Sequence, residues 1–314
     1  MIRFKFLSFF FILLFVSCQT KSKDKFTDTY TDGVIPIAVD ENFKPIIQEE
    51  IDVFEAMYQK AGIVPHYTNE VDAINLLLKD SVRFVIATRP LSSNEELSFK
   101  SRKFAPHSYK LATDGIALII NNLNPDSLIS VNQIRDILTG RVTNWKDIYP
   151  SSRLGKFQIV FDNKNSSTVR YAIDSICRGQ KLASSLHAQN TNPEVIDYVS
   201  KTPNAIGIIG VNWLGNEKDT TNLSFKNEIR VMSVSSEEEA TAANSYKPFQ
   251  AYLFYGYYPV TRAIYVIVND PRGSMPTTLS SFMTGDRGQK IILKSGLVPA
   301  TQAVRVRSVN IKDE

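Results

Sequence analysis

Along this chain, short apolar runs alternate with segments whose apolar residues recur at helical spacing. Residues 34–39, 64–67 and 82–88 read as strands, rich in Val, Ile and Phe. After the first, Asn42 is placed to cap a helix with Pro45 in its first turn. Ile47, Ile51, Phe54 and Tyr58 share one face of that helix, and Gly62 is a natural stop. Asn69, with Asp72 three residues on, caps a second helix carrying Ala73, Ile74, Leu77 and Leu78. A polar helix is expected around 94–100. Residues 115–121 form a wholly apolar strand followed by a turn at 122–125, and Ser130 caps a helix through Leu138, closed by Gly140. Further strands are expected at 157–161, 205–210 and 263–269, and a helix at 166–176. A last helix runs from about 278 to 294, with Gly296 and Pro299 beyond it. Residues 216–245 are charged and polar and read as an exposed excursion. There is no internal repeat, and the alternation of strands and helices predicts an α/β fold with largely parallel sheets.

The N-terminus changes the picture by adding a compartment. Arg3 and Lys5 precede an apolar run at 6–16, and Ser17-Cys18 follows. That run falls well short of the ~20 residues a membrane-spanning helix needs. Phe15-Val16-Ser17-Cys18 resembles the lipobox of bacterial lipoproteins, although Leu is usual where Phe15 stands. The expectation is therefore a signal peptide at 1–17, acylation at Cys18 and a polar tether over 18–31, anchoring the protein to a membrane outside the cytoplasm, in the periplasm or at the cell surface. The only other cysteine, Cys177, then has no partner for an intramolecular disulfide and sits in an apolar-periodic segment as a small hydrophobe. The formal net charge of +4 drops further once Arg3 and Lys5 are removed, too weak a balance to suggest a nucleic-acid partner. With 43% hydrophobic residues, the body can bury a sizeable core.

Several ordered segments carry a family resemblance. They are Asp114-Gly-Ile-Ala-Leu-Ile-Ile-Asn121, Asn124-Pro125 and Ile137-Leu-Thr-Gly-Arg-Val-Thr-Asn-Trp-Lys-Asp147. Asn165-Ser-Ser-Thr168, Asn204-Ala-Ile-Gly207, Tyr258-Pro-Val-Thr-Arg262 and Gly288-Gln-Lys-Ile-Ile-Leu-Lys-Ser-Gly-Leu-Val-Pro299 follow in order. Together they resemble the phosphate-binding component of bacterial phosphate ABC transporters. Taken singly, each segment also reads as packing, with Trp145 a core aromatic and Gly207 a tight turn. The resemblance implies a two-lobed periplasmic-binding-protein fold with one discontinuous lobe, formed by residues 32–111 and 260–306, and a second lobe of 112–259. The crossings fall near 110–116 and 257–263, and the ligand cleft lies between the lobes. It further implies a monomer that binds a small anion, phosphate foremost, and hands it to ABC permease subunits, with no cofactor.

The resemblance also implies a site at helix N-termini, where N–H groups without internal acceptors can satisfy an oxyanion. Asn42 and Phe43 lie at the first such terminus, and Thr68 and Asn69 at the second. Thr88 and Arg89 fall on a strand-end segment that reaches into the cleft. Asn165, Ser166, Ser167 and Thr168 lie on the family's Gly-Ser-Gly-Thr signature, with Asn165 and Ser167 replacing glycines. All of these residue types also favour simple capping. The pattern departs from the family where its arginine falls on Asp162, while Asp40, Glu41 and Glu70 add further acids. Lys44, Arg89, Lys164 and Arg170 are candidate counter-charges. These acids leave open a second possibility, the same scaffold turned to another ligand in a sensory or surface role.

Catalytic signatures are thin. His66, His107 and His187 are far apart and lack metal-ligand spacing. The chain has no Gly-x-Ser-x-Gly elbow, Gly-Lys-Ser/Thr phosphate loop or Gly-x-Gly-x-x-Gly. A binding protein is expected, not an enzyme.

Overall fold

The fold is organised by one long strand that belongs to two sheets. A computed structural model describes residues 27–100, 104–215, 219 and 224–305; the expected leader, Cys18 and most of the tether lie outside the described residues. The first α/β half comprises β1 (Asp32–Asp40), α1 (Lys44–Met57), β2 (Lys60–Thr68), α2 (Glu70–Leu78), β3 (Phe84–Ala87) and α3 (Ser93–Lys100). β4 (His107–Asn121) then crosses to β5 (Leu128–Ser130), α4 (Val131–Leu138), β6 (Gln158–Phe161) and α5 (Ser167–Tyr171), which runs on as a π turn through Ile176. β7 (His187–Ala188), α6 (Asn192–Lys201), β8 (Ala205–Gly210), β9 (Ile229–Val231), β10 (Ser233–Ser235), β11 (Ser245–Tyr246) and α7 (Gln250–Phe254) follow. β12 (Thr261–Val268) returns to the first half, where α8 (Met275–Thr284), α9 (Asp286–Lys294) and β13 (Val298–Pro299) close the chain.

Strand order in the main sheet is β2-β1-β3-β12-β4-β8-β6-β7, with β13 and β9 also on β4. β1 pairs in parallel with β2 and β3, and β6 with β7 and β8. β3 and β8 are buried along their whole length, as expected of strands covered on both faces. β12 runs antiparallel to β3 and to residues 107–115 of β4, whereas β8 pairs with residues 116–120 of β4. The chain thus changes halves at Gly115. A Cβ there would lie 2.9 Å from Leu253 Cδ2, so any larger residue would have to push that side chain aside. Ile116 N–H donates to Val260 O at 2.9 Å, and the buried Tyr258 hydroxyl donates to Ile116 O at 2.6 Å.

Several family segments are packing devices. Trp145 is fully buried, donates to Asn204 O at 3.1 Å and meets the rings of Tyr149 and Phe157. A Cβ on Gly207 would come within 2.9 Å of Ile119, Val195 and Val199, so α6 can lie close on β8 only over glycine. Gln289 donates to Leu111 O and Met283 O, each at 3.0 Å, tying the last helix to β4.

The structure departs from the sequence expectations in several places: Asn42 does not cap α1, whose N-cap is Phe43 without a side-chain bond, and Gly62 lies inside β2 instead of stopping the helix. The apolar strand at 115–121 begins at His107, because its first residues are exposed and lack the apolar signal. The expected final helix is two helices broken at Gly285, where the backbone is extended at ψ 177°. The polar excursion contains β9, β10 and β11, with Ile229, Val231, Met232 and Val234 buried; isolated apolar residues there suffice to add short strands. Among the described residues, no helix is long and apolar enough to cross a membrane.

Candidate functional site

The C-terminal ends of β1, β3 and β6 point toward the junction of the two halves, where α/β sheets usually carry ligands. There the chain gathers buried polar groups. Asp40 ends β1 and its Oδ1 accepts from Asn42 N–H at 3.1 Å, fixing the turn into α1. Asn42, fully buried, becomes the hub between the halves. Its Nδ2 donates to Asp40 Oδ1 (3.1 Å) and to Ser167 Oγ (3.3 Å). Its Oδ1 accepts from Thr168 Oγ1 (3.2 Å) and Asn192 Nδ2 (3.3 Å), and its carbonyl accepts from Trp213 Nε1 at 2.8 Å.

From the second half, Ser166 caps α5 by accepting from Val169 N–H at 3.2 Å and donates to Asp162 Oδ1 at 2.7 Å. Ser167 and Thr168, both fully buried, turn their hydroxyls to Asn42 and to Arg262. Arg262 rises from the start of β12: Nε donates to Asp114 Oδ2 at 2.9 Å, and Nη1 to Ser167 Oγ at 2.8 Å and Thr168 Oγ1 at 3.3 Å. Its guanidinium carbon lies 4.9 Å from the centre of the Phe43 ring. Beside this cluster, Glu70 Oε1 accepts from Thr88 N–H (2.7 Å) and Oγ1 (2.6 Å), while its Oε2 accepts from Arg170 Nε at 2.6 Å. Arg170 also donates to the Thr88 hydroxyl, so this ion pair joins the halves.

Acids outnumber cations in the cluster. Glu70 is matched by Arg170 and Asp114 by Arg262, leaving Asp40, Glu41 and Asp162 to share the remaining positive field. Burial pushes Asp40 up to about 6, eased by Arg262 and worsened by Glu70. Burial, with Asp162 and Asp40 nearby, pushes Glu41 up to about 7. Asp162 is raised by burial against its bond from Ser166, and Asp114 by burial against Arg262. At Glu70 burial also works upward, but the bonds and charge of Arg170 and Thr88 outweigh it and hold the carboxyl below its ordinary value. Asp40 Oδ2, Asp162 Oδ2 and Arg262 Nη2 are buried without a hydrogen-bond partner.

The structure therefore brings together Asn42, Phe43, Thr88, Ser166, Ser167 and Thr168 with Asp40, Asp162 and Arg170. It sets others apart. Asn69 caps α2 through Asp72, and half-buried Thr68 ends β2 opposite Asp40 in register. Arg89 is forked onto Glu95 at 2.7 and 2.8 Å and anchors the start of α3. Asn165 and Lys164 are exposed. Sequence reasoning assigned no role to Arg262, Asp114, Asn192 or Trp213. Arg262 and Asp114 sit inside the matched segments, but their meeting depends on strand pairing across 148 positions.

Comparison with known proteins gives a consistent picture. The PBP superfamily domain matches residues 25–287. The chain is 22% identical over 201 residues to the phosphate-binding protein PstS of Staphylococcus epidermidis; the match covers 64% of this chain and only 58% of that relative. It is 21% identical over 263 residues to PstS of Staphylococcus aureus, covering 82% of this chain and 76% of the relative. One similar solved structure is a protein assigned as a phosphate ABC transporter substrate-binding protein, with bound phosphate, from Clostridium perfringens. Its TM-score is 0.71 at 19% identity, over 86% of this chain and 100% of that one. Another is an ABC-type phosphate transport receptor from Vibrio cholerae, with a TM-score of 0.64 at 18% identity, over 85% of this chain and 100% of that one. At such identities the structural likeness concerns the fold: two α/β lobes, one discontinuous, with a cleft between them. Matched over most of its length by the superfamily domain and folded as its members are, this chain belongs to the PBP superfamily.

Proposed function

We propose that this protein is an extracytoplasmic solute-binding protein that captures phosphate, or a closely similar small oxyanion, between its lobes and delivers it to an ABC permease. The observation that carries this is the meeting of the buried Ser167 and Thr168 hydroxyls, the Asn42 amide and the Arg262 guanidinium at the lobe junction. These are donors of the kind an oxyanion accepts from, and charge-assisted bonds of this type are the strong ones. The first N–H groups of α5, which lack partners within the helix, add to them. Residues 32–111 with 260–306 form one lobe and 112–259 the other, so the crossings at Gly115 and Thr261 underlie the site. The protein acts as a monomer without cofactor and without catalysis, held at the membrane through acylated Cys18 and the tether at 18–31. Relatives named as the phosphate-binding protein PstS, and similar structures titled as phosphate ABC transport proteins, support the transport role.

Calorimetric titration of the purified chain with inorganic phosphate tests the proposal, with Thr168→Val as the second arm. The wild type should bind one phosphate per chain. Thr168→Val keeps the side-chain shape and removes one hydroxyl, so its affinity should fall by about tenfold or more, in keeping with ~1.5–3 kcal/mol for a bond to a charged group. A Thr168→Val protein that binds phosphate as tightly as the wild type would place the anion elsewhere.

A further inference from the structure

The resemblance leaves the site with a missing charge: where the family carries an arginine ahead of its Gly-Ser-Gly-Thr motif, this chain has Asp162, fully buried. Other nearby cations are engaged or outside the cluster. Arg89 is forked onto Glu95, Arg170 is bound to Glu70, Lys164 is exposed, and Lys44 lies 5.4 Å from the Tyr67 ring. Arg262 differs from these. It is 4% exposed, touches both Ser167 and Thr168, and holds Nη2 buried with no acceptor. Asn212 stands next to it, its amide nitrogen and oxygen likewise buried without partners. Gly210 permits this arrangement, since a Cβ there would sit 3.0 Å from Asn212 Nδ2 and 3.1 Å from Arg262 Nη2.

We propose that Arg262, carried into the cleft by the returning hinge strand β12, is the cation that binds the anion, replacing the arginine lost at Asp162. Asp114, on the other crossing strand, is its positioning residue: the bond from Nε fixes the guanidinium with Nη1 against the α5 hydroxyls and Nη2 beside Gly210 and Asn212. When the anion enters, Nη1 and Nη2 donate to its oxygens and the Ser167 and Thr168 hydroxyls turn from Asn42 and Arg262 to the same oxygens. A guanidinium suits this task because its planar fork can grip two oxygens at once. Because Arg262 stands directly after the crossing at Thr261, anion binding acts beside the hinge.

The assignment rests on the phosphate proposal above, and inorganic phosphate is the probe. Calorimetry and thermal unfolding of the full chain compare wild type, Arg262→Lys, Arg262→Gln and the double variant Asp114→Asn/Arg262→Gln. The double variant removes both buried charges, so it avoids leaving Asp114 unpaired and should fold where Arg262→Gln alone does not. Phosphate affinity should fall about tenfold or more in Arg262→Lys, which keeps the charge but loses the fork, and further in the double variant. A folded double variant, or Arg262→Lys, that binds phosphate within about twofold of wild type would reduce Arg262 to a structural partner of Asp114 and overturn the assignment while leaving the phosphate proposal intact. A wild type that binds no phosphate removes both together.

Discussion

At the scale of single residues, the site is governed by acids that burial keeps partly protonated. Asp40 has an ordinary value of 3.8 in the unfolded chain and titrates near 6 when folded. Between those values the folded protein holds the extra proton, so stability falls as pH rises through this window. Glu41 titrates near 7 and extends the same trend upward. Asp40→Asn keeps the oxygen that accepts from Asn42 N–H but cannot ionise. Its melting temperature should exceed that of the wild type at pH 8, with the difference shrinking toward pH 4. Thermal unfolding across pH 4–8 checks this, and a variant less stable than wild type at pH 8 would mean the carboxylate is stabilising in the folded protein. The sequence made these acids visible as departures from the family pattern. It did not show that Arg262 would answer two of them, because no local spacing links β12 to α5. Conversely Arg89, plausible from its place after β3, is claimed by Glu95 six residues on.

At the scale of elements, strands with continuous apolar runs and helices with caps were legible, and elements held by tertiary contacts were not. The caps at Asn69 and Ser130 form as the residues imply, Ser130 in a full capping box with Gln133. The exposed first half of β4 is a strand only because β12 lies against it, β9 and β10 exist because β4 and β5 offer edges, and β11 in turn pairs with β10. The hinge is another product of such contacts. Tyr258, in the Tyr-Pro-Val-Thr-Arg segment, is 1% exposed and bonds Ile116 O just past the crossing glycine. Tyr258→Phe should preserve packing yet leave that carbonyl short of a donor. A loss of about 1–3 kcal/mol follows. Denaturant titration measures it; an unchanged midpoint would show that the hydroxyl contributes nothing to the crossing.

At the scale of the whole molecule, the lobes meet through polar groups that also make up the proposed binding surface. Asn42 from one lobe bonds Ser167, Thr168 and Asn192 of the other, and Glu70 holds Arg170 across the same junction. The lobed architecture was legible in the sequence because the matching segments are largely packing devices such as Trp145, Gly207 and Gln289, which specify a fold whatever its ligand. The binding chemistry was less legible, since residues from β1, β4, α5 and β12, with those just past β3 and β6, assemble it only after the chain has crossed twice. The central claim is that an oxyanion is held at this junction, and a crystal structure of the chain grown with phosphate tests it most directly. Phosphate is predicted between the lobes, within hydrogen-bond distance of Ser167, Thr168 and Arg262. A cleft free of phosphate at saturating concentration, with Arg262 and Asn42 still holding the α5 hydroxyls, would contradict it.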